Sequence, residues 1–258
     1  MGRSSYLEFE EARELVGGNG EVEAPVRDEI FYLDRAKGAM ILAEYAIALK
    51  YYSRALSFHK GSEPAWMGQC LALLDLGEFS EADLWADRGL AYCPGSGPLF
   101  AIRACAMARR GMQGKAMGFI DRALQTKRDH WLIWLGRGET LTMQGKIKNV
   151  DHCISKALEA GGEDRAYILR RAGEMLVLYN HARAALFYLR KAQQEAPDQP
   201  LNNLRLAQAC KTLNRNKEAR HYVEMCLVKR PDLQEAQRLK DSLQGLQLMA
   251  WVKSKFKR

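Results

Sequence analysis

The segment beginning at Glu63, EPAWMGQCLALLDLGEFSEADLWADRGLAYCP, aligns without a gap on the segment beginning at Gly97, GPLFAIRACAMARRGMQGKAMGFIDRALQTKR, at a spacing of 34 residues. A period of that length describes a small supersecondary unit that cannot bury its apolar face alone and must stack on copies of itself. Units starting at residues 29, 63, 97, 131, 166 and 200, with one residue inserted before the fifth, bring the middle of the chain into register.

In that register the columns become chemically uniform. The eighth position holds Ala36, Cys70, Ala104, Gly138, Gly173 and Ala207, the twentieth Ala48, Ala82, Ala116, Val150, Ala185 and Ala219, and the twenty-seventh Ala55, Gly89, Ala123, Ala157, Ala192 and Cys226. Small side chains there let two antiparallel helices approach closely. Larger apolar residues fill the space between them: Trp66, Phe100, Trp134 and Leu169 at the fourth position, Leu73, Met107, Leu141 and Leu176 at the eleventh. Each unit therefore reads as two amphipathic helices, with apolar residues at intervals of three and four.

The punctuation agrees. Gly77, Gly111, Gly145, Asn180 and Asn214 share the fifteenth position, and these residue types tolerate the left-handed conformation that ends a helix. Pro94, Pro197 and Pro231 share the thirty-second, where proline stops the second helix. The first unit departs from the rule, with Ala43 at its turn and Lys60 where proline is expected.

Over residues 29–233 the chain resembles the tetratricopeptide-repeat (TPR) family, through Ala65-Trp66, LGEFSEA at 76–82, Arg122 to Leu124, and ALFYLRKA followed by Pro197. The resemblance implies an all-α fold, a right-handed α-solenoid of about six helix-turn-helix hairpins (29–62, 63–96, 97–130, 131–165, 166–199, 200–233). Residues 234–258 keep an apolar stripe through Leu239, Leu243, Leu246 and Trp251, as expected of a C-terminal capping helix, and end in the basic residues Lys253, Lys255, Lys257 and Arg258. That tail is a solvated end or a contact for an acidic partner, nucleic acid or membrane. The seventh position, leucine in the family, carries Arg35, Gln69, Arg103 and Arg137. Their stems are expected to be buried and their heads to extend to the edge of a groove.

Residues 1–28 are acidic, with seven carboxylates against Arg3, Arg13 and Arg27 for a net charge of −4, whereas the whole chain carries +8. Tyr6, Phe9, Ala12 and Val16 form one face of a short helix and GGNG at 17–20 reads as a hinge, so this segment is a capping helix or a loose arm. An acidic amphipathic arm also suits a basic groove, where it would compete with a ligand. The opening Met-Gly-Arg-Ser-Ser fits an N-myristoylation start, although cloning or chance produces the same motif. No apolar run approaches the roughly 20 residues that span a membrane, and the six cysteines are scattered without paired spacing. A reducing, cytoplasmic setting is the expectation.

Motifs for catalysis are missing: GxxxxGK[ST], a strand-borne GxGxxG, GxSxG and HExxH do not occur, and the adjacent His152 and Cys153 point about 100° apart on a helix. The expectation is a protein that is not an enzyme, takes no cofactor or metal, and acts as an adaptor or assembly scaffold binding a peptide or helix of a partner. The resemblance places ligands on the inner surface lined by the first helix of each pair. The matching positions here are Leu33, Lys37, Met67, Leu71 and Leu74, then Arg109, Glu139, Arg170, Glu174, Leu204, Gln208 and Lys211. They run from apolar to charged, which suits a partner with an apolar anchor followed by charges. One branch of the family clamps a chaperone's terminal carboxylate through lysines, asparagines and an arginine; Leu33, Lys37, Met67 and Leu71 do not reproduce that clamp. The alternative function is nucleic-acid binding through Arg35, Arg103, Arg137, Arg170, Arg171, Arg205 and the basic tail. An enzyme with its active site in the groove is a further, weaker alternative.

Overall fold

The computed structural model describes residues 27–126 and 129–255, with side chains throughout except at 163 and 246–255. The expectations for the N-terminal arm up to residue 26, for Leu246 and Trp251, and for the basic end of the tail therefore lie outside the described side chains. Among the described residues there are helices and turns and no strand. The chain divides into two compact units, ending at Thr126 and beginning at Lys127.

The first unit contains α1 (Glu29–Ile41), α2 (Tyr45–Phe58), α3 (Glu63–Asp75), α4 (Phe79–Tyr92), α5 (Gly97–Arg109) and α6 (Gln113–Gln125). The second contains α7 (Trp131–Met143), α8 (Val150–Ala160), α9 (Arg165–Leu178), α10 (Ala182–Glu195), α11 (Pro200–Thr212), α12 (Asn216–Lys229) and α13 (Gln234–Lys255). Short 3-10 turns at Ile147–Asn149 and Gly162–Asp164 lead into α8 and α9. The inserted residue is absorbed between α8 and α9 at Gly161 and Gly162, the latter at φ 52°, and α9 begins one residue earlier than the repeat spacing predicts.

Four of the first helices, α1, α3, α5 and α7, start where a side chain can serve the orphan N–H groups of a first turn. Asp28 Oδ1 accepts from Phe31 N–H at 2.9 Å, Ser62 Oγ from Ala65 N–H at 3.4 Å, and Ser96 Oγ from Leu99 N–H at 3.2 Å. His130 Nδ1 does the same for Leu132 N–H at 3.2 Å. Six hairpin turns close alike, through one left-handed residue followed by an N–H donating five residues back. The left-handed residues are Ala43, Gly77, Gly111, Asn180 and Asn214 together with Gly145. The closing bonds include Glu44 N to Ala39 O at 2.9 Å, Glu78 N to Leu73 O at 2.9 Å and His181 N to Leu176 O at 2.7 Å. Ala43 thus adopts the conformation of its column although its residue type disfavours it.

Packing follows the columns of small residues. Ala36, Cys70 and Ala104, then Ala48, Ala82 and Ala116, are wholly inaccessible in the first unit, and Ala157, Ala185, Ala192, Ala207, Ala219 and Cys226 in the second. At Gly89 an added Cβ would stand 2.9 Å from Leu99 Cδ1 and 3.1 Å from Trp66 Cγ, so α4 meets α3 and α5 at a distance that only glycine permits. The fourth-position Trp66 stacks on Tyr92 at 5.6 Å between ring centroids, and its indole N–H donates to Lys60 O at 2.7 Å. In the second unit Ala236, Leu239 and Leu243 of α13 are buried, and this helix packs on α12 and α11, covering the apolar face that the last hairpin leaves open.

Candidate functional site

The twelve positions singled out on the first helices divide between the two units. In the first, Lys37 is exposed and Leu33 and Met67 are half-buried, whereas Leu71 and Leu74 are buried. Arg109 turns back over the Phe79 ring at 5.9 Å and donates to Leu74 O at 3.4 Å. The apolar anchor foreseen there is largely absorbed into packing, leaving Leu33 and Met67 with accessible surface.

In the second unit the charged positions come together. Glu174 on α9 lies at the centre: its Oε1 accepts from Arg170 Nη1 at 2.6 Å and from Arg205 Nε of α11 at 2.8 Å, and Arg171 Nη1 stands 3.6 Å from Oε2. Arg205 Nη1 continues to Gln208 Oε1 at 3.1 Å and to Glu235 Oε1 of α13 at 2.6 Å. Gln208 Nε2 donates to the same Glu235 oxygen at 2.7 Å, and Lys211 Nζ reaches Ser242 Oγ at 2.5 Å. Towards α7, the Tyr179 hydroxyl stands 3.5 Å from Glu139 Oε1. Leu204 on α11 is fully buried.

This is a polar ladder across α9, α11 and α13, with Arg170 and Arg171 also laid over the Tyr167 ring at 5.0 and 5.9 Å. Burial by itself would push the Glu174 carboxyl up, but Arg170, Arg205 and Arg171 outweigh it and hold the group well below the usual carboxylate range. Glu174 is therefore a fixed anion. Exposure is graded along the ladder: the Arg170 side chain is 3% exposed, Glu174 18%, Arg205 15% and Glu235 45%. Arg170 is its buried footing, Glu139 on α7 is likewise buried, and Gln208, Lys211 and Glu235 present surface.

Arg205, Arg171, Glu235 and Ser242 were missed as members of one constellation. Arg171 and Arg205 share the sixth position of consecutive units, and that column was the available signal; the contribution of α13, outside the repeat, had none. Two seventh-position residues also differ from expectation. Arg103 does not extend to a groove edge but pairs with Asp83 (2.7 Å) and Asp87 on α4 and lies over Phe119 at 4.2 Å. Gln69 is wholly buried, with neither amide atom hydrogen-bonded among the described residues.

No three His, Cys, Asp or Glu side chains among the described residues stand close enough to hold a metal ion. His152 and His221 are exposed, and His59 pairs with Glu29 at 3.0 Å. The six cysteines are free thiols, five of them buried; burial pushes up Cys70 most strongly and raises Cys226 to about 11. Among the described residues no helix is long and apolar enough to cross a membrane.

No protein-family model and no curated protein sequence matches the chain. Solved structures do match. A tetratricopeptide repeat protein from Parabacteroides merdae is similar with a TM-score of 0.54 at 13% identity, over 86% of each chain. A thermophilic TPR protein of Thermus thermophilus is similar at 0.53 and 21% identity, over 71% of this chain and 99% of that one. The APC/C hetero-tetramer Cut9-Hcn1 is similar at 0.53 and 13% identity, over 84% of this chain and 43% of that chain, so the present sequence spans less than half its length. The fold is that of the TPR proteins, an all-α fold of the solenoid type.

Proposed function

We propose that this chain is a non-enzymatic interaction scaffold that takes a peptide or a helix of a partner protein on the face built by its first helices. The observation that carries the reading is the ladder of Glu174, Arg205, Gln208 and Glu235, extended by Lys211. Successive helices of the second unit hold its donors and acceptors in fixed positions, and its upper members face solvent. A segment lying across α9, α11 and α13 would meet hydrogen-bonding groups already ordered, so little side-chain entropy is lost on binding. Recognition of a helix or an extended peptide across such a face is a recurring mode of protein binding. A similar chain, in the Cut9-Hcn1 hetero-tetramer, also belongs to a multi-protein assembly.

Nucleic-acid binding is the weaker reading because the arginines it needs are engaged. Arg103 is held by two carboxylates, Arg170, Arg171 and Arg205 converge on Glu174, and Arg35 lies over Phe31 at 5.4 Å. Phosphate contacts require cations that can exchange their counterions for the ligand.

Affinity capture from a lysate, with partners counted by mass spectrometry, tests the proposal. Gln208→Ala combined with Lys211→Glu should lose the partners that the wild type retains while keeping wild-type helicity by circular dichroism, and Glu224→Lys on the exposed side of α12 should keep them. Equal capture by the two variants would remove the first-helix face from consideration.

A further inference from the structure

A second surface stands apart from the ladder and shares no residue with it. Between α10 and the α11–α12 turn lies a recess of about 630 Å³ whose lining includes Arg183, Arg190, Lys191 and Arg215 and no acidic residue. Its apolar part comes from Leu186, Phe187 and Leu213. The α10 members follow the spacing of one helical face, which places the cations and apolar groups side by side.

The charge in this recess is only partly balanced. Glu218 alone serves two of the cations, standing 2.6 Å from Arg215 and 3.7 Å from Arg190. Arg183 and Lys191 make no ion pair among the described residues. Four cations lining one recess give it a positive potential that favours a bound anion. Phe187 is 55% exposed, so its ring is accessible at the recess. Lys191 Nζ sits 4.3 Å from the centre of its ring, and Tyr188 meets it edge to face at 5.1 Å. One face of the ring is thus covered by an ammonium, which leaves its rim for an aliphatic or aromatic side chain and hinders stacking by a nucleobase. The recess is open to solvent, and its volume leaves room for a few side chains of a larger partner.

We propose that the recess between α10 and the α11–α12 turn is a docking site for an acidic peptide segment of a partner protein. The segment's carboxylates would meet Arg183 and Lys191, and a single apolar side chain would rest against Leu186, Phe187 and Leu213. The combination of unbalanced positive charge with an exposed aromatic floor selects this chemistry over a purely apolar helix, which would leave the cations uncompensated. It also selects it over a phosphodiester strand, which has no use for the apolar floor.

Fluorescence anisotropy on the full chain tests the site, using a short fluorescein-labelled peptide in which glutamates flank a central phenylalanine. Saturable binding is expected, weakened about tenfold by Arg183→Glu with Lys191→Glu and about tenfold by Phe187→Ala or by alanine in place of the peptide's phenylalanine. These side chains are exposed, so circular dichroism and the unfolding midpoint should match the wild type. Gln208→Ala with Lys211→Glu should leave peptide binding intact, which separates this site from the first-helix face. Binding unaffected by the α10 variants overturns the proposal, as does tighter and steeply salt-dependent binding of a labelled oligothymidylate.

Discussion

Ala43 closes the α1–α2 turn at φ 59°, a conformation that presses its Cβ towards the following carbonyl oxygen. The left-handed region costs an ordinary L-residue about 1–2 kcal/mol, whereas a glycine surrenders about 0.4–1 kcal/mol more chain entropy on folding. The steric saving exceeds the entropic loss, so Ala43→Gly should stabilise the protein by about 0.5–1 kcal/mol, read as a rise in the urea midpoint with an unchanged slope. A fall in midpoint would mean that the Ala43 methyl makes a contact worth more than its strain. The site of this turn was legible in the sequence, because five other units carry glycine or asparagine in its column. The fate of the seventh-position side chains was not. Arg103 is claimed by Asp83 and Asp87, twenty and sixteen residues earlier on a neighbouring helix, and a column compares equivalent residues without showing which non-equivalent ones face each other.

Two carboxylates tie elements together, Glu174 joining α9 to α11 and Glu235 joining α11 to α13. Glu174 stands among three guanidiniums, and the Arg170 side chain beneath it is almost wholly enclosed. Its folded-state pKa is depressed, so its contribution to stability is complete above the ordinary carboxylate value of about 4.3 and drains away as pH falls towards the lower folded value. Glu174→Gln keeps the shape and removes the charge. At neutral pH this variant should be less stable than the wild type by a few kcal/mol, roughly the cost of leaving a buried guanidinium short of its counter-ion. The gap should narrow below about pH 4.5, by on the order of 1 kcal/mol per pH unit, as the Glu174 carboxyl of the unfolded chain takes up a proton while that of the folded chain stays ionised. Urea unfolding across that range provides the measurement, and a gap that is constant with pH would show that Glu174 acts through its hydrogen bonds rather than its charge. Individual members of this ladder were visible as charged residues at matching positions, but its closure through Glu235 and Ser242 depends on how α13 lies against α11. No repeat period carries that information, since α13 has no counterpart in the other units.

At the scale of the whole molecule the period was the most legible feature, because columns of alanine and glycine encode helix contacts directly. In both units helices pack on those adjacent in sequence or next but one, so stability should be a sum of local contributions rather than a single global quantity. Two glycines in one column test that locality. At Gly138 on α7 an added Cβ would meet Cys153 Cβ at 3.5 Å, an ordinary contact, and Gly138→Ala should gain up to about 1 kcal/mol of helix propensity. At Gly173 on α9 the same atom would stand 2.4 Å from Leu189 Cγ, which is fully buried and has nowhere to retreat. Overpacking of this kind costs about 1–3 kcal/mol and exceeds the propensity gain, so Gly173→Ala should destabilise. If contributions are local, hydrogen exchange in Gly173→Ala should accelerate in α9 to α12 while α1 to α4 keep their wild-type protection, and Gly138→Ala should slow exchange in α7 and α8 alone. Uniform acceleration of every helix in Gly173→Ala would show instead that the chain opens as one cooperative body. In that case each substitution would be felt equally at the ladder on α9, α11 and α13 and at the recess beside α10, and neither surface could be altered independently of the other.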